Sequence, residues 1–100
     1  IFSDEMYRFL HHKKQDTLPS ACDLYENAFS LWGTAKTFGL AGLRLGWLTS
    51  KNTNLLKRVE SFKDYLSICN NAPGEILAMI ALNNLDKFVT PNIEKIKSNI

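Results

Sequence analysis

No part of these 100 residues concentrates charge of one sign. Twelve Lys and Arg stand against ten Asp and Glu, a formal net charge of +2, and the two signs are interspersed. A composition of this kind makes no case for a nucleic-acid stripe or an anionic membrane surface as partner. No apolar run approaches the roughly 20 residues that cross a bilayer. There are no repeats and no low-complexity tracts, so neither a solenoid nor a disordered linker is indicated. Cysteine is scarce: Cys22 and Cys69 are far apart and neither has a neighbour at metal spacing. Idle thiols of a cytoplasmic protein are the preferred reading over a disulfide. The chain opens on Ile1-Phe2-Ser3-Asp4, with no charged start leading into an apolar signal segment and no initiating Met, and so reads as a portion of something longer. What remains, 45% apolar and 22% charged residues, is ordinary for one modest soluble domain.

The pattern along the chain predicts short strands followed by helices. Ile1 to Asp4 reads as the end of a strand. His11-His12-Lys13-Lys14-Gln15-Asp16, closed by Pro19-Ser20, reads as an exposed loop; its histidine pair has no third ligand at a useful spacing, so no metal is expected. Ala21 to Tyr25 is one helical turn. Ala28 to Trp32 is a buried strand bounded by Asn27 and Gly33. Leu43 to Thr49 is the next strand, with Leu43, Leu45 and Trp47 on one face and Arg44 on the other. Asn52 to Leu66 is an amphipathic helix, capped by Asn52 or Thr53, in which Leu55, Val59, Phe62 and Leu66 recur at helical spacing. Pro73 suits the first turn of a second helix, apolar nearly all round at Ile76 to Leu82 and so in need of burial on several sides. Thr90-Pro91 opens a third, Asn92 to Ile100.

One stretch carries chemistry: Ser30 to Leu48, SLWGTAKTFGLAGLRLGWL. A single lysine, Lys36, stands among small and apolar residues with glycines at 33, 39, 42 and 46. That setting suits an amine held in a tight pocket, with backbone approaching a ligand where glycine removes the side chain. A lysine partly stripped of water is a usable nucleophile. The plainer reading is a hairpin-like core element whose lysine points outward. Gly33-Thr34-Ala35-Lys36-Thr37 also echoes a nucleotide-binding loop, but Ala35 and Ser30 stand where that motif needs glycine.

Lys36 through Trp47 resembles the cofactor-lysine segment of pyridoxal-phosphate enzymes of the class I/II aminotransferase family. There a lysine is followed by Gly-Leu-x-Gly-x-Arg-x-Gly, with the arginine eight residues on, as Arg44 is from Lys36. Phe2-Ser3-Asp4-Glu5-Met6-Tyr7 resembles the family's strand-end Asp-Glu-x-Tyr element. The resemblance covers Ile1 to about Leu85. It implies an α/β chain that is part of the large, cofactor-binding domain of a fold type I aminotransferase, spanning residues 1–100, with 86–100 leading toward a small domain.

The resemblance also implies roles. Lys36 forms the Schiff base with pyridoxal 5'-phosphate and then moves the substrate proton, and Arg44 holds the phosphate. Asp4 keeps the ring nitrogen protonated, and Tyr7 meets the ring's phenolic oxygen. The plain reading of Asp4-Glu5 is a solvated strand end. Ala35 and Gly33 stand where the family usually has Ser and Ser or Thr; Thr34 or a backbone N–H takes over that phosphate contact.

The implied activity transfers an amino group between an amino acid and a 2-oxo acid. β-Elimination, decarboxylation or cyclisation on the same scaffold is the alternative, as is a non-catalytic binding or regulatory segment. The implied enzyme is a cytoplasmic homodimer with no nucleic-acid or membrane partner. In the family's sheet the Asp strand and the strand before the lysine are expected to be separated by another strand, supplied from earlier sequence. That leaves these 100 residues with a free edge and an over-apolar helix, and predicts self-association or a different strand pairing, without productive cofactor binding.

Overall fold

Three short strands make one sheet, in the order β1-β2-β3, in a computed structural model that describes all 100 residues. Strand β1 (Phe2–Asp4) runs parallel to β2 (Phe29–Gly33), with Phe2 opposite Phe29 and Asp4 opposite Leu31. Strand β3 (Gly46–Thr49) is antiparallel to β2, Trp32 facing Trp47. A parallel pair needs a long crossover. Residues 5–28 supply it, with helix α1 (Ala21–Leu24) near its end. The expected strand between β1 and β2 is therefore not there: the two are direct neighbours. The Phe29 N–H donates to Ile1 O at 2.8 Å and the Glu5 N–H to Leu31 O at 2.9 Å.

Three helices follow, as the periodicity predicts, but their limits differ. Helix α2 (Thr53–Lys63) is capped by Asn52, whose side chain accepts from the Leu55 N–H at 2.9 Å. It ends three residues short of Leu66, where the Tyr65 and Leu66 N–H groups turn to carbonyls only three residues back, Phe62 O at 3.1 Å and Lys63 O at 2.9 Å. Ile68 then sits at φ 55°, in the left-handed conformation that ends helices. Helix α3 (Ala72–Asn83) has Pro73 in its first turn and Asn71 as cap.

Helix α4 (Leu85–Ser98) does not open at Thr90-Pro91 but carries Pro91 in its interior. A mid-helix proline costs about 3 kcal/mol. Here the apolar stripe that includes Ile93 and Ile96 extends upstream through Leu85, Phe88 and Val89 at helical spacing, and that packing overrides the local preference. Val89 is buried, and the Phe88 ring meets Phe38 edge-on at 6.1 Å between centroids.

The buried residues of α3 include small ones: Ala78 and Ala81 are 3% and 1% exposed. The other sides of α3 are bare. Ile76, Met79 and Ile80 are each at least half exposed, although an all-round apolar helix calls for cover. Only 11 of 100 residues are buried. The radius of gyration, 14.9 Å, exceeds the roughly 13 Å of a compact chain this long. The buried set is correspondingly thin in hydrocarbon. Ser20, Ser30, Thr34 and Thr37 are buried, as are Ala28 and Phe38, so hydroxyl hydrogen bonds take over much of the work of holding the chain.

Candidate active site

The loop between β2 and β3 is far longer than a tight hairpin needs. It closes on itself at the base. The Thr34 N–H donates to Leu45 O at 3.0 Å, and the Leu40 N–H donates back to Thr34 O at 3.0 Å. Its inner wall leaves no room: a Cβ on Gly33 would lie 2.8 Å from the Met6 methyl and 3.0 Å from Leu45 O. Gly39 takes φ +68°, open to glycine and strained for other residues. These contacts bring the loop against the segment that leaves β1.

Tyr7 and Lys36 meet there. The Lys36 amine lies 5.7 Å from the centroid of the Tyr7 ring, within cation–π reach. Both residues are exposed, so the tight pocket expected around Lys36 does not form: Tyr7 is one wall and the opposite side is open. Asp4 ends β1, exposed, and its Oδ1 accepts the Met6 N–H at 3.1 Å, an Asx turn that starts the Tyr7 segment.

Arg44 is not on a strand face. It follows a 3-10 turn (Ala41–Leu43) in the left-handed conformation, φ 53° and ψ 39°. Its guanidinium donates to Ala41 O at 3.3 Å and is otherwise exposed. Thr34 is fully buried, and its hydroxyl faces the Leu40 and Leu45 carbonyls at 3.3 and 3.2 Å. It reaches a phosphate only by giving up those contacts.

Sequence reasoning missed three residues that hold this arrangement. Glu5, read as part of a solvated strand end, is a half-buried hub. Its Oε1 accepts from the Ala21 N–H (2.8 Å), the Ser30 hydroxyl (2.8 Å) and the Ser20 hydroxyl (2.9 Å), and its Oε2 pairs with Arg8 at 3.1 Å. Burial works against its charge. The donors from Ala21, Ser30 and Ser20, with the Arg8 cation, outweigh burial and hold the carboxyl below its ordinary range. Arg8 in turn lies 4.9 Å from the Trp32 ring, tying the Tyr7 segment to β2. Thr37 and Asn92 are the other two: the Thr37 hydroxyl contacts Met6 O and Arg8 O, and the Asn92 amide donates to Thr37 O. The Glu5–Arg8 spacing of three was a visible signal; Asn92 offered none.

A concave space of about 500 Å³ touches Asp4 and Tyr7 but also Glu5, Arg8, His11 and Asp16, and Lys36, Thr34 and Arg44 take no part in its wall. His11 bonds the Thr17 hydroxyl at 2.9 Å. Cys22 and Cys69 are free thiols. Hydrogen bonds from Ser20 and Thr49 hold the Cys22 thiol below its usual range, against burial. No helix is long and apolar enough to cross a membrane.

Comparison with known proteins bears on the family. The family model described as aminotransferase class I and II matches residues 1–100. Histidinol-phosphate aminotransferase 1 of Legionella pneumophila, in strains Lens and Paris, is 40% identical over 85 residues, covering 81% of this chain and 22% of the relative. Capreomycidine synthase of Streptomyces vinaceus is 27% identical over 74 residues, 74% of this chain and 19% of the relative. The chain thus spans about a fifth of the length of these curated relatives. No solved structure matches it.

Proposed function

The chain belongs to the class I and II aminotransferase family, and on that premise we propose that the protein carrying it uses pyridoxal 5'-phosphate to transfer an amino group between an amino acid and a 2-oxo acid. The observation that carries this reading is the meeting of Lys36 and Tyr7 at 5.7 Å across two separate segments. The donor set fits the cofactor: an exposed amine for its aldehyde, a guanidinium on the same loop for its phosphate, a strand-end carboxylate and a phenol.

When bound, the cofactor supplies an electron-poor ring that accepts negative charge from the substrate α-carbon. The protein's part is attachment, orientation and proton traffic. Lys36 Nζ would be the amine that holds the aldehyde and the base that carries the substrate α-proton. The Asp4 carboxylate would keep the ring nitrogen protonated. The Tyr7 hydroxyl would be the donor for the ring oxygen. Arg44 grips the phosphate with a planar fork that lysine cannot reproduce. Its backbone is left-handed, a conformation of the kind that accumulates at functional positions. Thr34 joins that grip only if its hydroxyl turns away from the loop carbonyls.

The names of the relatives suggest histidinol phosphate as the first amino donor to try. They also keep a second reaction class in view, since one of them is called a synthase. The remainder of the proposal is a cytoplasmic homodimer in which residues 1–100 are part of the large domain and residues 86–100 lead toward the small one. The bare faces of α3 are in keeping with further chain or a second copy covering them.

The test uses the full-length protein. Borohydride reduction with pyridoxal 5'-phosphate, followed by peptide mass mapping, should tag Lys36, and a tag on another lysine or on none overturns the reading. Formation of a new amino acid from an added 2-oxo acid then separates transfer from elimination, decarboxylation or cyclisation.

A further inference from the structure

The Lys36–Tyr7 contact joins two flexible, exposed side chains, so what fixes it must lie in the backbones beneath them. Thr37, the residue after Lys36, is 4% exposed. Its hydroxyl lies 3.0 Å from Met6 O and 2.7 Å from Arg8 O. Those are the carbonyls of the residues on either side of Tyr7. A hydroxyl has one proton, so the two carbonyls share it, with Arg8 O the nearer. On the far side of the same loop the Asn92 amide of α4 donates to Thr37 O at 3.0 Å and lies against Gly39. The residue next to the lysine is therefore tied to both neighbours of the tyrosine and, from the other side, to α4.

We propose that Thr37 and Asn92 are positioning residues: together they hold the Lys36 loop in the register that sets the lysine amine against the Tyr7 ring. This deepens the reading of Lys36 as the cofactor lysine and rests on it. Neither residue touches the reacting atoms. Thr37 acts through Lys36 and Tyr7, and Asn92 acts through Thr37. Removing the hydroxyl while keeping the shape lets the loop and the Tyr7 segment slide apart, and the amine leaves the ring.

The readout is peptide-resolved acylation of Lys36 by acetic anhydride in the cofactor-free full-length protein, with Lys51 and Lys87 as internal standards. Thr37→Val should raise the Lys36 labelling rate about two- to fivefold, the factor an exposed cation–π contact is worth. Thr37→Ser, which keeps the hydroxyl, should restore the wild-type rate. Tyr7→Leu should give a similar rise by itself, and adding Thr37→Val to it should change nothing further, because the two act on one contact. Asn92→Ala should produce a rise in the same direction, and it decides the matter if Thr37→Val does not fold.

Unchanged Lys36 labelling in folded Thr37→Val, or in folded Asn92→Ala should the former not fold, overturns the proposal. So does full additivity in the double variant. Borohydride mapping of the wild type separates this failure from the other: if Lys36 is tagged there and the labelling rates do not move, the cofactor reading stands and the positioning role falls.

Discussion

Replacing Glu5 is the sharpest test of how this site is held. Four donors converge on its carboxylate: the Ala21 N–H, the Ser30 and Ser20 hydroxyls, and Arg8. The pair is well shielded, the Arg8 and Glu5 side chains being 19% and 10% exposed. In Glu5→Leu, Ser20 can turn to Ser30, whose oxygen is already 2.7 Å away. The Ala21 N–H, the Ser30 proton and the Arg8 cation have no such substitute. A stranded buried donor costs about 1–3 kcal/mol and a broken buried ion pair about 3–5 kcal/mol. With partial relaxation, Glu5→Leu should lose about 3–5 kcal/mol. Glu5→Gln keeps an acceptor and should lose about 1–2 kcal/mol.

Hydrogen exchange at the Ala21 amide reads this locally. At one decade per 1.4 kcal/mol, Glu5→Leu should speed exchange by about a hundred- to several-thousand-fold. The folded carboxyl titrates below its ordinary value of 4.5, so the unfolded chain takes up the proton first. Its contribution is complete above pH 4.5 and is lost as pH falls through the lower folded value. Protection corrected for intrinsic rates should follow that course in the wild type, and the same segment should be flat in Glu5→Gln. A change of less than tenfold in Glu5→Leu would refute the account of Glu5 as a hub.

Three further expectations follow from the same contacts. Gly33→Ala should destabilise by about 1–3 kcal/mol in a denaturant titration, since its Cβ would press on the Met6 methyl and Leu45 O. Arg44→Gly should leave the fold as stable or about 1 kcal/mol more stable, because glycine relieves the left-handed backbone. It should also weaken pyridoxal 5'-phosphate binding at least tenfold by fluorescence titration, so that stability and binding move in opposite directions. Asn71→Ala should lower stability by about 1 kcal/mol, read by thermal melting, since it removes the α3 cap bond to the Gly74 N–H at 2.6 Å and a second bond to Leu43 O at 3.1 Å.

The order of elements was legible from local chemistry. An apolar run and its bounding residues marked β2 to within a residue, Asn52 marked the start of α2, and Pro73 that of α3. The Lys36–Arg44 spacing and the Asp4–Tyr7 element pointed to the family because short-range motifs survive without knowledge of the fold. Pro91 misled, because a stop signal is a local preference and the stripe through Leu85, Phe88 and Val89 is a packing demand that outweighs it. Arg44 was misplaced for a related reason: alternation over Leu43, Leu45 and Trp47 suits a strand, but a 3-10 turn breaks it before Gly46.

Sequence alone therefore supplied the family and the candidate side chains, since amine, guanidinium, carboxylate and phenol are properties of residue type and spacing along the chain. Tertiary structure alone decided which of them meet and what holds them. Tyr7 reaches Lys36 only because β1 pairs with β2 and a hydroxyl at Thr37 binds the carbonyls flanking Tyr7. Glu5 becomes a hub only when α1, β2 and Arg8 deliver their donors to it. Contacts between residues distant in the chain depend on how the elements pack, and no local pattern encodes them.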